Sequence, residues 1–109
     1  MYSKEYSENI EIVRSKLNNR TKLEALAEEA SELSKAAAKL IRAKGLSENP
    51  TPISEEEAEA KVLEELADVQ NCINVTGLLK RHSGKVNMIA EQKMQRWVER
   101  LKERETLIP

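Results

Sequence analysis

The fold of this chain is decided by residues 54–81, which read SEEEAEAKVLEELADVQNCINVTGLLKR. Apolar residues recur in this stretch at the three- and four-residue spacing of one helical face. The recurring positions are Val62, Leu66, Val69 and Ile73. Ser54 followed three residues later by Glu57 forms a capping box, which marks the beginning of a helix. We therefore predict a long helix that begins after Ser54 and ends at about Arg81.

Three further helices are predicted from the same kind of spacing. The first spans about residues 4–17, and the second runs from 22 to about 44. A turn at 82–84 is followed by the fourth helix, which extends to about residue 104. The prediction is therefore four helices and no strands.

The second helix has a predicted beginning and a predicted end. Thr21 followed by Glu24 has the form of a capping box, which places the first helical residue at 22. Gly45 suits the position just after the last turn of a helix. Pro50 and Pro52 then prevent a regular helix from continuing, so we expect one substantial loop between the second and third helices.

The composition favours an all-α protein. The chain has 109 residues, contains no Phe and is 34% charged, and Ala, Leu, Glu and Lys dominate it. Such residues form helices that pack through small and aliphatic side chains. We expect one domain over residues 1–109, folded as a four-helix bundle. A chain of this length has a small core, so we expect it to be oligomeric.

Charge and hydropathy exclude some classes of partner. The 18 basic and 19 acidic residues leave a net charge of −1, so no overall field attracts nucleic acid or an anionic membrane. No stretch approaches the roughly 18 apolar residues of a membrane span, and there is no signal-like apolar run. The single Cys72 cannot form an internal disulfide. We expect a cytoplasmic protein that binds neither nucleic acid nor membrane.

Two acid pairs of the same short form lie in separate predicted helices. Glu29 and Glu32 are three residues apart, and so are Glu65 and Asp68. Residues at this spacing lie on neighbouring positions of one helical face, so each pair aims both side chains at a common point. Two facing pairs would form a cage of carboxylate oxygens, which suits Mg²⁺, or Mn²⁺ in its place.

The position of the acids on their helices strengthens this interpretation. Glu29 borders an apolar stripe, and Glu65 and Asp68 project among a second apolar strip of the third helix, which consists of Cys72, Val75 and Leu79. A helix that is apolar on two sides is expected to be covered on both, with a partner subunit on one of them. Clustered carboxylates that lose solvent need a compensating cation. Acid pairs at this spacing also arise by chance on solvated helix faces.

Two segments that carry these acids resemble the signature helices of the MazG-like, all-α nucleoside triphosphate pyrophosphohydrolases. They are residues 26–33, LAEEASEL, and residues 63–69, LEELADV. Residues 93–101, KMQRWVERL, resemble the C-terminal segment of the family. The resemblance covers roughly residues 22–104. One departure is the interval of 32 residues between the two acid motifs, which is longer than usual in the family and contains the Pro-containing loop.

The resemblance implies a specific activity. Family members use Mg²⁺ to cleave a nucleoside triphosphate between its α and β phosphates, which gives the monophosphate and pyrophosphate, and they assemble as homodimers or homotetramers. By this resemblance Glu29, Glu32, Glu65 and Asp68 bind the metal. Either Glu29 or Glu32 would orient or deprotonate the attacking water, and the sequence does not distinguish between them. Lys93 and Arg96 would contact substrate phosphates.

A different class of function fits the same helices. A helical bundle whose third helix is apolar on two sides could serve as a non-catalytic oligomerisation or regulatory module. In such a module the acids would pair with Lys and Arg across subunits. Dependence on a divalent metal distinguishes the two hypotheses.

Overall fold

The computed structural model describes residues 2–107, with side chains over 2–106, and the part of the chain described contains helices and no strand. The helices are α1 (Lys4–Lys16), α2 (Asn19–Ala43), α3 (Glu55–Thr76), α4 (Leu78–Arg81) and α5 (Ser83–Leu107). The prediction of an all-α fold is confirmed. Contacts divide the chain into two compact units, Met1–Gly77 and Leu78–Pro109.

The helix beginnings follow from side-chain caps. The Ser3 hydroxyl accepts from the Tyr6 backbone N–H at 3.1 Å, which starts α1 as predicted. The predicted beginning of α2 is wrong. Asn18 Oδ1 accepts from the backbone N–H of Thr21 at 2.8 Å, so Asn18 is the cap and the helix begins three residues earlier than the Thr21 capping box indicated.

The loop between α2 and α3 is bounded as the sequence predicted. Gly45 has φ 73°, and its N–H donates to the Arg42 carbonyl while the next N–H, that of Leu46, donates to Ile41. This pair of bonds is a Schellman motif, which ends α2. At the other end of the loop, the Ser54 hydroxyl accepts from the Glu57 N–H at 3.1 Å and caps α3.

The C-terminal end of α3 differs from the prediction. The helix ends at Thr76 rather than near Arg81, because Gly77 adopts a left-handed conformation with φ 72°. The predicted turn at 82–84 is also wrong. The short helix α4 precedes it, and α5 already begins at Ser83, with the Val86 N–H donating to the His82 carbonyl at 2.9 Å.

The core of the first unit lies between α2 and α3. Ala36 and Ala58, which are 4% and 1% exposed, are the apolar side chains buried among the described residues. Small side chains at these positions let the two helices approach closely. Leu66, predicted to face the core, is 46% exposed, which shows that the buried face of α3 is rotated from the predicted stripe.

Helix α1 is attached to α3 by polar contacts. The Tyr6 hydroxyl donates to Asn71 Oδ1 at 2.5 Å, and the Tyr6 ring stacks on Tyr2 at a centroid distance of 4.4 Å. Arg14 donates to two backbone carbonyls at the C-terminal end of α3. No residue of α1 is buried, so these contacts, rather than a deep apolar interface, fix its position.

The second unit consists of α4 and α5. Every described side chain of α5 is exposed, including Trp97 at 58%. Its exposed apolar residues lie at helical spacing, and the largest are Val86, Met88, Ile89, Met94, Trp97, Val98 and Leu101. No helix in the described chain combines the length and apolar character of a membrane span.

Candidate metal centre

Helix α2 places Glu29 and Glu32 on the face that packs against α3. The side chains of α2 that lose solvent recur at helical spacing, and both acids belong to this set. Its members include Ala25, Leu26, Glu29, Glu32, Leu33, Ala36 and Leu40. Both acids are half-buried. The sequence prediction that they border the core is therefore confirmed.

Helix α3 places Glu65 deeper than any other acid that the structure describes. Glu65 is 5% exposed and Asp68 is half-buried. Glu65 lies seven residues after Ala58 and four before Val69, so it occupies a position on the buried stripe itself. The expectation that these acids lose solvent is confirmed, and its own unit is sufficient to bury Glu65. Cover by a partner subunit stays a prediction.

Three of the four predicted acids converge. One ligand oxygen from each of Glu29, Glu65 and Asp68 lies within 4.8 Å of the other two. Two oxygens bound to one Mg²⁺ at about 2.1 Å are at most about 4.2 Å apart, so small side-chain rotations bring the three onto one ion. Glu32 lies outside this group, and its Oε1 is 3.3 Å from Lys35 Nζ.

The three carboxylates repel one another. Loss of solvent raises the pKa of Glu29 above its ordinary value, and the charges of Asp68, Glu65, Glu28 and Glu32 raise it further. Glu32 therefore contributes to the potential at the site although it is outside the converging group. A cation between the acids would relieve this repulsion.

Glu65 has one oxygen with a partner and one without. Its Oε1 is 3.1 Å from Lys61 Nζ, and the hydrogen bond to Glu65 raises the pKa of Lys61 above its ordinary value. Its Oε2 is fully buried and no described group donates to it. Burial of a carboxylate oxygen without a donor costs free energy. The described side chains therefore leave this oxygen without the partner that it needs.

The donor set restricts the kind of ion. The converging group contains carboxylates and neither imidazole nor thiolate, although the described part of the chain includes His82 and Cys72. Carboxylate oxygens favour hard divalent ions such as Mg²⁺ and Mn²⁺ over the transition metals that select nitrogen or sulfur ligands. The residues present therefore fit the ion that the sequence predicted.

A cavity borders the acid cluster. It has a volume of about 420 Å³, is open to solvent and is lined by α1, α2 and α3. Its lining includes Tyr6, Ile10, Val13, Asn71 and Cys72. Cys72 lies one helical turn after Asp68, and Ala25, which also lines the cavity, lies one turn before Glu29, so the cavity wall adjoins the acids. Burial raises the pKa of the Cys72 thiol, and the charges of Glu29, Asp68 and Glu28 raise it further. The surface of the cavity is mainly apolar, and its polar lining includes Tyr6, Asn71 and Lys22.

Two predicted phosphate ligands lie in the other unit. Lys93 and Arg96 are on α5, three residues apart, and both are exposed. Residues at this spacing share one face of the helix, as predicted. Their contact with substrate stays a prediction.

Two residues near the site were not identified from the sequence. Lys61 precedes Glu65 by one helical turn, and this spacing alone could have indicated a contact. Tyr6 comes from the weakly periodic first helix, and its contact with Asn71 spans 65 positions, which no local pattern reveals.

Comparisons with known protein families, with curated proteins and with solved structures find no match for this chain.

Proposed function

We propose that this protein is a Mg²⁺-dependent nucleoside triphosphate pyrophosphohydrolase of the MazG-like type. The observation that carries the proposal is the convergence of Glu29, Glu65 and Asp68, together with the burial of one Glu65 oxygen that has no donor among the described residues. Clustered, desolvated carboxylates on two facing helices are the feature that a divalent ion would stabilise. The acid motifs that the sequence analysis identified supply all three side chains.

Glu29, Glu65 and Asp68 would hold the ion, with Glu32 on the adjacent turn of α2. When bound, Mg²⁺ supplies charge neutralisation for the triphosphate and for the pyrophosphate that leaves. A carboxylate, either Glu29 or Glu32, would accept a proton from water as the water oxygen forms a bond to phosphorus. The bond from phosphorus to the bridging oxygen between the α and β phosphates then breaks, which yields a nucleoside monophosphate and pyrophosphate.

The cavity beside the acids supports a nucleotide as the substrate. A ligand with a polyanionic end and a flat, mainly apolar end matches a metal centre that adjoins an apolar cavity. Asn71 and the Tyr6 hydroxyl, which hydrogen-bond to each other, could exchange that bond for one to a base or sugar. Lys93 and Arg96 are proposed as additional phosphate contacts.

We also propose that the enzyme is a homodimer or homotetramer with a MazG-like helical fold. The support for an oligomer is the apolar stripe of α5, whose members are exposed in the described chain. Stripes of this size on a helix are ordinarily covered by another helix. We propose that a second copy of the chain provides it.

The same stripe favours a second candidate, a non-catalytic oligomerisation or regulatory module. In this alternative the acids serve only in ion pairs, such as Glu32 with Lys35 and Glu65 with Lys61. A module of this kind would bind helical partners and would not turn over nucleotides.

Product analysis distinguishes the two candidates. Purified protein is incubated with a panel of ribo- and deoxyribonucleoside triphosphates, in Mg²⁺ and separately in EDTA, and the products are separated by ion exchange. The enzyme hypothesis predicts equal amounts of monophosphate and pyrophosphate that form only with Mg²⁺. Absence of turnover by the folded oligomer on every nucleotide would support the module.

A further inference from the structure

Lys61 and Glu65 form an ion pair that differs in burial from the other pairs along the helices. The Glu65 side chain is 7% exposed, whereas Lys61 is 50% exposed and extends its ammonium inward from the surface. In the pair Arg20 with Glu24 both side chains are well exposed, and in the pair Lys35 with Glu32 the half-buried Glu32 side chain is still 46% exposed. Lys61 therefore contacts the Glu65 carboxylate, which is desolvated because it is buried.

Helix stability does not account for this pair. Oppositely charged residues four apart stabilise an isolated helix by about 0.2–0.5 kcal/mol, and the favourable order places the acid before the base. Here Lys61 precedes Glu65, which is the weaker order. Lys61 also has an alternative acid, since Glu64 Oε2 lies 3.5 Å from its Nζ and is exposed, yet the shorter contact is with the buried Glu65.

The contact leaves Glu65 with two unequal oxygens. Oε1 receives the Lys61 ammonium at 3.1 Å, and Oε2 is buried with no donor in the described chain. A carboxylate fixed through one oxygen cannot rotate freely, so the direction of the other oxygen is also fixed. In metal sites, a charged or hydrogen-bonding partner on a ligating carboxylate sets its orientation.

We propose that Lys61 is a positioning residue for the metal centre: it holds Oε1 of Glu65, so that Glu65 binds the divalent ion through Oε2 alone. This inference rests on the metal centre in the proposed function. It assigns a coordination mode to Glu65 and a role to a residue outside the acid motifs.

The charge of Lys61 and its contact with Glu65 have opposite effects on the affinity for a divalent ion, so the test must separate them. Removing the Lys61 ammonium leaves the cluster more negative, which attracts a cation more strongly, while losing the contact with Oε1 leaves Glu65 unpositioned. Lys61→Gln and Lys61→Met both remove the charge and have similar size, but only Gln retains an N–H donor. Lys61→Ala is a second variant without a donor, for use if the Met variant does not fold.

The measurement is the Kd for Mn²⁺, determined by electron paramagnetic resonance of the free ion in the absence of nucleotide. We expect Lys61→Met and Lys61→Ala to bind Mn²⁺ about 10-fold more weakly, or more, than Lys61→Gln, because lost partners of metal ligands typically cost about 10–100-fold in affinity. Helix content and unfolding midpoint in EDTA are measured for each variant.

Lys44→Met is the matched control. Lys44 also pairs with a glutamate, at 2.8 Å from Glu55 Oε1, and is similarly exposed. It lies roughly 20 Å along α2 from Glu29 at about 1.5 Å per residue, beyond the Debye length of about 10 Å at 0.1 M salt. Its Kd for Mn²⁺ should equal that of the wild type.

Equal Kd values for the Gln variant and the variants without a donor would overturn the positioning role. Absence of Mn²⁺ binding by the wild type would overturn both this inference and the metal centre. Mn²⁺ binding with the expected order of variants, but without hydrolysis of any nucleotide, would support the positioning role and reject the proposed enzyme.

Discussion

Arg14 Nη2 lies 2.6 Å from the backbone carbonyl of Asn74, and its Nε lies 3.3 Å from that of Val75. The last carbonyls of a helix lack partners within the helix and carry partial negative charge. One guanidinium of α1 therefore donates to two carbonyls at the end of α3, of which that of Asn74 also accepts from the Gly77 N–H at 3.2 Å. Val75 also lines the cavity that adjoins the acids.

Replacing Arg14 with Met should destabilise the first unit by about 1.5–3 kcal/mol, the usual range for hydrogen bonds made by a charged group. Urea unfolding followed by circular dichroism provides the measurement. Arg20→Met is the control, because Arg20 is highly exposed and its ion pair among the described residues is with exposed Glu24. The control should cost less than about 0.5 kcal/mol. Equal losses for the two variants would contradict a role for Arg14 at the end of α3.

Gly77 and Gly84 should respond oppositely to substitution by Ala. Gly77 has φ 72°, a conformation that costs a side chain about 1–2 kcal/mol, so Gly77→Ala should destabilise the protein. Gly84 lies in the first turn of α5, and nothing is within 4 Å of where its Cβ would be. Gly84→Ala should be neutral or stabilising by up to about 1 kcal/mol. Thermal unfolding measures the stability of both variants. Destabilisation by both substitutions would contradict the predicted opposite effects.

Without a divalent ion, the stability of the first unit should decrease as Glu29 ionises. The pKa of Glu29 is raised in the folded state from an ordinary 4.5 by lost solvation and neighbouring acids. The folded protein therefore binds this proton more tightly than the unfolded chain does. Protonated Glu29 therefore contributes to the free energy of unfolding below about pH 4.5, and this contribution is lost as pH rises through the raised pKa.

Comparison with Glu29→Gln isolates that contribution. In EDTA, the stability of the variant relative to the wild type should increase between about pH 4 and about pH 7, measured by urea unfolding at each pH. Because the other acids titrate in both proteins, the difference reports mainly on Glu29. A difference that is constant with pH would show that Glu29 is not perturbed by the cluster.

Divalent ions should stabilise the wild type and not Glu65→Gln. An ion that binds only the folded state stabilises it by about 2.7 kcal/mol at 100 times its Kd. Glu64→Gln is the control, since Glu64 is adjacent, exposed and outside the converging group. Its unfolding midpoint should rise with Mg²⁺ or Mn²⁺ as the wild-type midpoint does. The same rise for Glu65→Gln would contradict the site.

The helix ends show what local sequence can predict. Ser54 with Glu57, and Gly45, were identified correctly because each acts within one turn of its own position. Thr21 was misassigned because Asn18, three residues earlier, takes the Thr21 N–H as its capping donor. Gly77 was missed because apolar residues at Leu78 and Leu79 continue the helical spacing past it.

The sequence predicted which acids contribute to the site, but not how deeply each is buried or which of them converge. The spacing of Glu65 and Asp68 on one helix, and of Glu29 on another, is a local property that the sequence contains. That Glu65 is buried while Leu66 is half-exposed depends on how α3 rotates against α2, which is decided by packing between distant residues. Glu32 lies outside the converging group, which its spacing from Glu29 alone did not reveal.

The central claim is that the acid cluster holds Mg²⁺ for cleavage of nucleoside triphosphates. Its most direct test is the rate of pyrophosphate release by the wild type, Glu65→Gln and Glu64→Gln, with Mg²⁺ and with EDTA. We predict Mg²⁺-dependent release by the wild type and Glu64→Gln, and at least about a 100-fold lower kcat/KM for folded Glu65→Gln, since a bound ion supplies several kcal/mol. Release that persists in EDTA, or equal rates for Glu65→Gln and the wild type, would contradict the claim.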